Sequence, residues 1–151
     1  FFYNLARNGK MVSTSTMINY INRDEQLHVT LFANIFKETL KENPELDASH
    51  YRGFVEKTFR EAAELEIKWG RYIIGDNFPG ITMPELEDYI KFMANKRSRQ
   101  MGAGKPFEGY DKNPLKWIRA YQEVDEGKSD FFEQKSRQYT KVSEDNGFDE
   151  L

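Results

Sequence analysis

Apolar residues recur at steps of three and four from residue 11 onward. Met11, Ile18, Ile21, Phe32 and Ile35 fall on one face of a helix, and Thr14, Glu25 and His28 complete the row. Neither Gly nor Pro occurs between Lys10 and Asn43, a run too long for a strand, so one long helix is expected between an Asn8-Gly9 turn and Pro44. Asp47 is a candidate N-cap for a second helix through Phe54 and Trp69 to about Ile74. Residues 75–80 read as a loop. Thr82 and Glu85 form a capping-box signature, with Pro84 tolerated in the first turn of a third helix that ends at Gly102. Residues 106–114 predict a loop, and 115–121 a short helix. No segment alternates with period two, so residues 1–120 are expected to form an all-α body.

Composition narrows the functional classes. A length of 151 residues suits one domain with its own core. Basic and acidic residues nearly balance (22 against 25, net charge −3), which gives no reason to expect nucleic acid or an anionic membrane as partner. The absence of Cys excludes disulfides, thiolate metal sites and Cys nucleophiles, and leaves the compartment open. No apolar run approaches the roughly 20 residues of a membrane span. Mean hydropathy is −0.79, yet aromatic residues make up 15%, unlike a disordered chain. The chain opens on Phe1 inside an apolar stretch, which suggests a fragment. Residues 121–151 differ from the body: nine acidic residues against four basic ones give a net charge of −5. A flexible acidic tail is expected there, with Phe148 and Leu151 as apolar anchors of a docking peptide.

The long helix carries the candidate chemistry. Glu25 and His28 lie in mid-stripe between Ile18, Ile21, Phe32 and Ile35, so the face is expected to be buried. A buried carboxylate requires a cation, a metal or a proton. Glu-x-x-His at i, i+3 puts both groups on one side of a helix, the spacing by which helix bundles hold a carboxylate-bridged metal pair. The spacing is common, and a solvated Asp24, Glu25 and His28 cluster fits it too. A dinuclear site needs about four carboxylates and two His from four helices, which this chain does not offer. Asp47 and His50 do not complete it, because Asp47 serves better as a cap at an exposed helix entry.

At this point a family resemblance enters. Ile21-Asn22-Arg23-Asp24-Glu25-Gln26-Leu27-His28 resembles the second Glu-x-x-His helix of the class I ribonucleotide reductase small subunit, the radical-generating protein. Phe54 to Trp69, with Ala62-Ala63 and Glu66, is similar to the helix that follows it. Asn95, Arg97, Gly102, Pro106-Phe107, Asn113-Pro114 and Trp117-Ile118 appear in the family's order, and Glu133 and Tyr139 match its tail pair. The resemblance covers essentially the whole chain but only the C-terminal part of a complete small subunit.

The resemblance implies the C-terminal helices of a ferritin-like bundle over residues 1–120, and a tail for radical transfer and large-subunit docking over 121–151. It makes Glu25 and His28 ligands of a dinuclear centre of iron, manganese or mixed Mn/Fe, shared with a second chain. Asp24 would hydrogen-bond the metal-bound His of the other Glu-x-x-His helix, on the path of proton-coupled electron transfer. Ile18 and Ile21 would line the pocket around the radical. Tyr139 would relay the radical to the large subunit, Glu133 would support proton transfer or docking, and Phe148, Asp149, Glu150 and Leu151 would bind the large subunit. The family's other ligands and its radical Tyr precede the matched region. The implied partners are therefore the N-terminal half of the small subunit as a separate chain, the large subunit, and a second complete small subunit. The implied setting is cytoplasmic deoxyribonucleotide synthesis. Two other classes remain: a dinuclear carboxylate oxygenase or metal-storage protein, which has no use for the Glu133 and Tyr139 pair, and a non-catalytic helical assembly subunit.

Overall fold

The computed structural model describes residues 1–75 and 78–122. Its elements are α1 (Phe2–Arg7), α2 (Val12–Glu42), α3 (Ala48–Ile73), α4 (Met83–Gln100) and α5 (Ile118–Gln122), with no strand among the described residues. The all-α expectation holds for them, and α5 crosses residue 121. The remainder of the expected tail, 123–151, lies outside the described residues.

Helices α3 and α4 begin where local chemistry dictates. Asp47 caps α3, its carboxylate accepting from the backbone N–H groups of Ser49 and His50 at 3.0 and 3.1 Å. Thr82 and Glu85 form the reciprocal capping box that opens α4, and Gly102, at φ +78°, follows its end. The Glu85 carboxyl is held below its ordinary range, chiefly by the Thr82 backbone N–H. Its stabilising contribution is therefore present at neutral pH and is lost as pH falls through that lowered value. Replacement Thr82→Ala is expected to cost about 1 kcal/mol in urea unfolding followed by circular dichroism; an unchanged midpoint would show the box to be idle.

Helix α1 was not foreseen. It is six residues long and has no side-chain cap, too short to hold itself together. Tertiary bonds hold it instead: Asn4 is buried and donates from Nδ2 to the Pro79 carbonyl at 2.7 Å, and the Tyr3 hydroxyl donates to Asn19 Oδ1 at 3.1 Å. Gly80 is required beside it, since a Cβ there would stand 2.9 Å from Asn4 Oδ1.

Helix α3 packs along α4, and α1 packs on α2 and α5. Val55, Ala63 and Ile67 of α3 and Met83 and Ala94 of α4 are buried, and Arg71 pairs with Glu87 across these two helices. Gly70 admits the Leu86 side chain, which would lie 3.1 Å from a Cβ at that position.

The burial expected for the α2 stripe is not supplied by the described residues. Ile21, Phe32 and Ile35 are 53%, 63% and 51% exposed, and Ile18 is only half-buried. Within this chain α2 buries the neighbouring row instead: Ser15, Asn19 and Ala33 are buried, and Asn22 and Gln26 half-buried. That row lies one residue on, about 100° around the helix. Asn19 and Gln26 of that row find hydrogen-bond partners on α1 and α4, whereas the apolar stripe is left largely exposed by the described residues.

Candidate metal centre

Helix α2 carries five of the eleven predicted site residues, Ile18, Ile21, Asp24, Glu25 and His28. Glu25 Oε2 and His28 Nδ1 stand 3.2 Å apart, one turn from each other, with side chains 61% and 59% exposed. Asp24 adjoins them, also exposed, its Oδ1 3.6 Å from Arg23 Nε. The Arg23 guanidinium in turn lies over the Tyr20 ring at 5.3 Å. Ile21 and Ile18 continue the same face toward the N-terminus. Glu133, Tyr139, Phe148, Asp149, Glu150 and Leu151 lie outside the described residues.

The donor set fits a metal ion in part. One carboxylate and one imidazole converge, both accessible from the same side. Two donors bound at right angles to an ion at about 2.1 Å each stand about 3 Å apart, close to the separation of this pair. Two donors do not make a site, however. Among the described residues no group of three or more His, Cys, Asp or Glu side chains could hold a metal ion. Asp47 and His50 do not supply a second pair, because the Asp47 carboxylate is taken up by the α3 cap.

The surroundings are apolar and exposed among the described residues. Leu27, Leu31, Phe32 and Ile35 leave much of α2 apolar and bare, and Phe54, Leu65, Trp69 and Tyr72 do the same for the face of α3 turned away from α4. Such extended apolar surface marks contact with further protein. None of the described helices is long and apolar enough to cross a membrane.

Behind the ligand face runs a polar network that the hydrophobic pattern did not single out. Arg97 of α4 donates from Nη2 to Gln26 Oε1 and from Nη1 to Gln100 Oε1, each at 2.7 Å. Gln26 Nε2 donates to Asn22 Oδ1 at 3.3 Å. Burial pushes the Tyr3 and Tyr89 phenols up and the Arg97 guanidinium down, though Arg97 remains a cation near neutrality. The signal available was Ser15, Asn19, Asn22 and Gln26 at steps of four, three and four, a polar row where an exposed helix face carries charge.

Comparison with known proteins identifies the family. Residues 1–114 match the family model for the ribonucleotide reductase small chain. The chain is 67% identical over 151 residues to the ribonucleoside-diphosphate reductase subunit beta of Halalkalibacterium halodurans, covering all of this chain and 44% of that protein. It is 41% identical over 145 residues to the Treponema pallidum subunit beta, covering 95% of this chain and 41% of the relative. It thus spans less than half the length of these relatives. Among solved structures, a class I ribonucleotide reductase from Bacillus halodurans aligns with a TM-score of 0.77 and 64% identity, over 80% of this chain and 43% of the other. The R2 subunit of a Clostridium botulinum ribonucleotide reductase aligns with a TM-score of 0.77 and 38% identity, over 81% of this chain and 38% of the other. The fold is part of a ferritin-like helical bundle. The chain belongs to the ribonucleotide reductase small chain family.

Proposed function

We propose that this chain supplies Glu25 and His28 to the dinuclear metal centre of a ribonucleoside-diphosphate reductase small subunit. Polypeptide outside these 151 residues supplies the remaining ligands. The observation that carries this reading is the Glu25–His28 pair, 3.2 Å apart on a face whose apolar neighbours are bare. The metals are iron, manganese or one of each, and when bound they supply the one-electron oxidising chemistry that generates or stores a radical. Glu25 and His28 offer an oxygen and a nitrogen donor. Asp24 accepts a hydrogen bond from the metal-bound imidazole of a second Glu-x-x-His helix. Ile18 and Ile21 keep water from the radical once the face is covered.

In the same reading, Tyr139 passes the radical on. Its phenol gives up an electron to the small-subunit radical and its proton to a base, with Glu133 supporting the transfer, and recovers both from the large subunit. Phe148, Asp149, Glu150 and Leu151 dock there, and the large subunit converts ribonucleotides to deoxyribonucleotides. A segment that orders only on docking gives modest affinity, which suits a transient complex. Two complete small subunits pair as a homodimer.

Metal content tests the proposal. The chain is purified alone and together with polypeptide completing the small subunit, supplied with Fe(II) or Mn(II), and assayed for bound metal and for a tyrosyl radical by electron paramagnetic resonance. A metal pair is expected only in the completed subunit; stoichiometric dinuclear metal in the isolated chain would sink the reading. In the completed subunit, Tyr139→Phe should retain metal and radical but lose turnover with the large subunit. Retained turnover would remove Tyr139 from the path.

A further inference from the structure

The rotation of α2 about its own axis decides where Glu25 and His28 point, and the structure shows what holds that rotation. A carboxylate rides about 5–6 Å from a helix axis, so each 10° of turn displaces it by about 1 Å. Metal–ligand distances tolerate deviations of only about 0.2 Å. Among the described residues the apolar stripe offers a weaker hold on the rotation, because Ile21, Phe32 and Ile35 are more than half exposed. The polar row one residue on is anchored at two levels. Near the start of α2, the Tyr3 hydroxyl of α1 donates to Asn19 Oδ1 at 3.1 Å. At the level of the ligands, the Arg97 guanidinium of α4 donates to Gln26 Oε1 at 2.7 Å.

The second anchor is the stiffer. Gln26 sits between Glu25 and His28 in sequence, so its backbone moves with theirs. Its amide is committed on both sides: Oε1 accepts from Arg97, and Nε2 donates to Asn22 Oδ1 at 3.3 Å. A guanidinium has only donors, which sets the amide's orientation. Arg97 is itself fixed by its second bond, to Gln100 Oε1 on the same helix. Its planar fork serves two acceptors with little loss of freedom. Helix α4 is held in turn by α3, which packs along it.

We infer that Arg97, acting through Gln26, is a positioning residue for the Glu25–His28 pair: α4 grips the polar row of α2 and so aims the adjoining ligand face. This rests on the proposed ligand role of Glu25 and His28. It adds to that role a residue on another helix that touches neither ligand.

The test uses the complete small subunit carrying this chain, titrated with Mn(II) and followed by bound metal and by the Mn(II) paramagnetic resonance line shape. Arg97→Met and Gln26→Leu are each expected to weaken Mn(II) binding about tenfold, the lower end of losses caused by removing groups behind metal ligands. Each should also change the line shape. The double variant should bind no more weakly than the worse single one, because both break the same bond. Arg97→Lys should recover most of the affinity and the line shape, since an ammonium still donates to Gln26 Oε1. Should Arg97→Met fail to fold, Gln26→Leu carries the test alone. Unchanged affinity and line shape in the single variants, or losses that multiply in the double variant, overturn the inference. Glu25→Ala in the same titration separates the two levels. Metal retained there refutes the ligand reading itself, whereas metal lost there but undisturbed by Gln26→Leu refutes only the grip of α4.

Discussion

Replacing Glu25 by Ala in the completed small subunit is expected to lower metal affinity by more than about 100-fold, and His28→Ala to do the same. Removing a group behind a metal ligand costs about 10–100-fold, and losing the ligand itself must cost more. What makes the experiment decisive is the setting of these side chains. Among the described residues both are largely exposed, and their side chains meet each other at 3.2 Å. Neither reaches the row of α2 that packs on α1 and binds α4. Their removal should therefore shift the unfolding of this chain by no more than about 0.5 kcal/mol, as for other surface substitutions. Metal loss with unchanged helix content and unchanged unfolding would then report ligation and not misfolding. Glu25→Gln refines the result, because it keeps the volume and one oxygen donor but removes the charge; its affinity should fall between wild type and Glu25→Ala. Full metal occupancy in Glu25→Ala would remove α2 from the centre.

The same contrast explains how much of the molecule could be read from its sequence. The starts and stops of the long helices were legible because each is set by a few neighbouring residues. The Asp47 cap, the Thr82–Glu85 box and the Gly102 terminus all stand where residue type and spacing put them. Helix α1 was not legible, because six residues without a cap owe their helix to Pro79 and Asn19, distant in sequence. The Glu25–His28 pair was legible as a spacing, and its meaning came from the family's pattern around it. Which element covers it was not legible, for a definite reason. Hydrophobic periodicity identifies the apolar face of a helix but not the element that covers it. Among the described residues the row that is covered is the polar one, and the apolar one is largely exposed. Arg97 and Asn95 were noticed only as marks of resemblance. Their partners, Gln26 at one end and the 107–110 loop at the other, required coordinates.

Asn95→Ala is expected to destabilise the fold by about 3 kcal/mol. Asn95 is 0% exposed and uses its whole amide. Nδ2 donates to the carbonyls of Phe107 and Tyr110 at 2.6 and 3.0 Å, and Oδ1 accepts from the Phe107 N–H at 2.9 Å. One side chain on α4 thus satisfies three backbone groups of a loop that has no sheet or helix to satisfy them. A hydrogen bond is worth about 1 kcal/mol net, and each stranded buried group costs about 1–3. Water would relieve part of this, since Phe107 and Tyr110 are only half-buried. Asn95→Asp is the sharper variant. It keeps the shape and the acceptor but turns both donors into an acceptor facing two carbonyls, so it should be at least as damaging as Asn95→Ala. A cavity argument predicts the reverse order, because Asn95→Asp leaves no void. Ser98→Ala, which loses only the bond from Oγ to the Gly104 carbonyl, should cost about 1–2 kcal/mol. The loop leads directly to Leu115 and Ile118, whose burial anchors the segment that precedes the acidic residues of the C-terminus. Release of the loop should therefore open the Lys112–Asn113 bond to trypsin in Asn95→Asp before the helices unfold. Urea unfolding in which Asn95→Asp matches wild type, with that bond cut no faster than in wild type, would show that the loop holds itself.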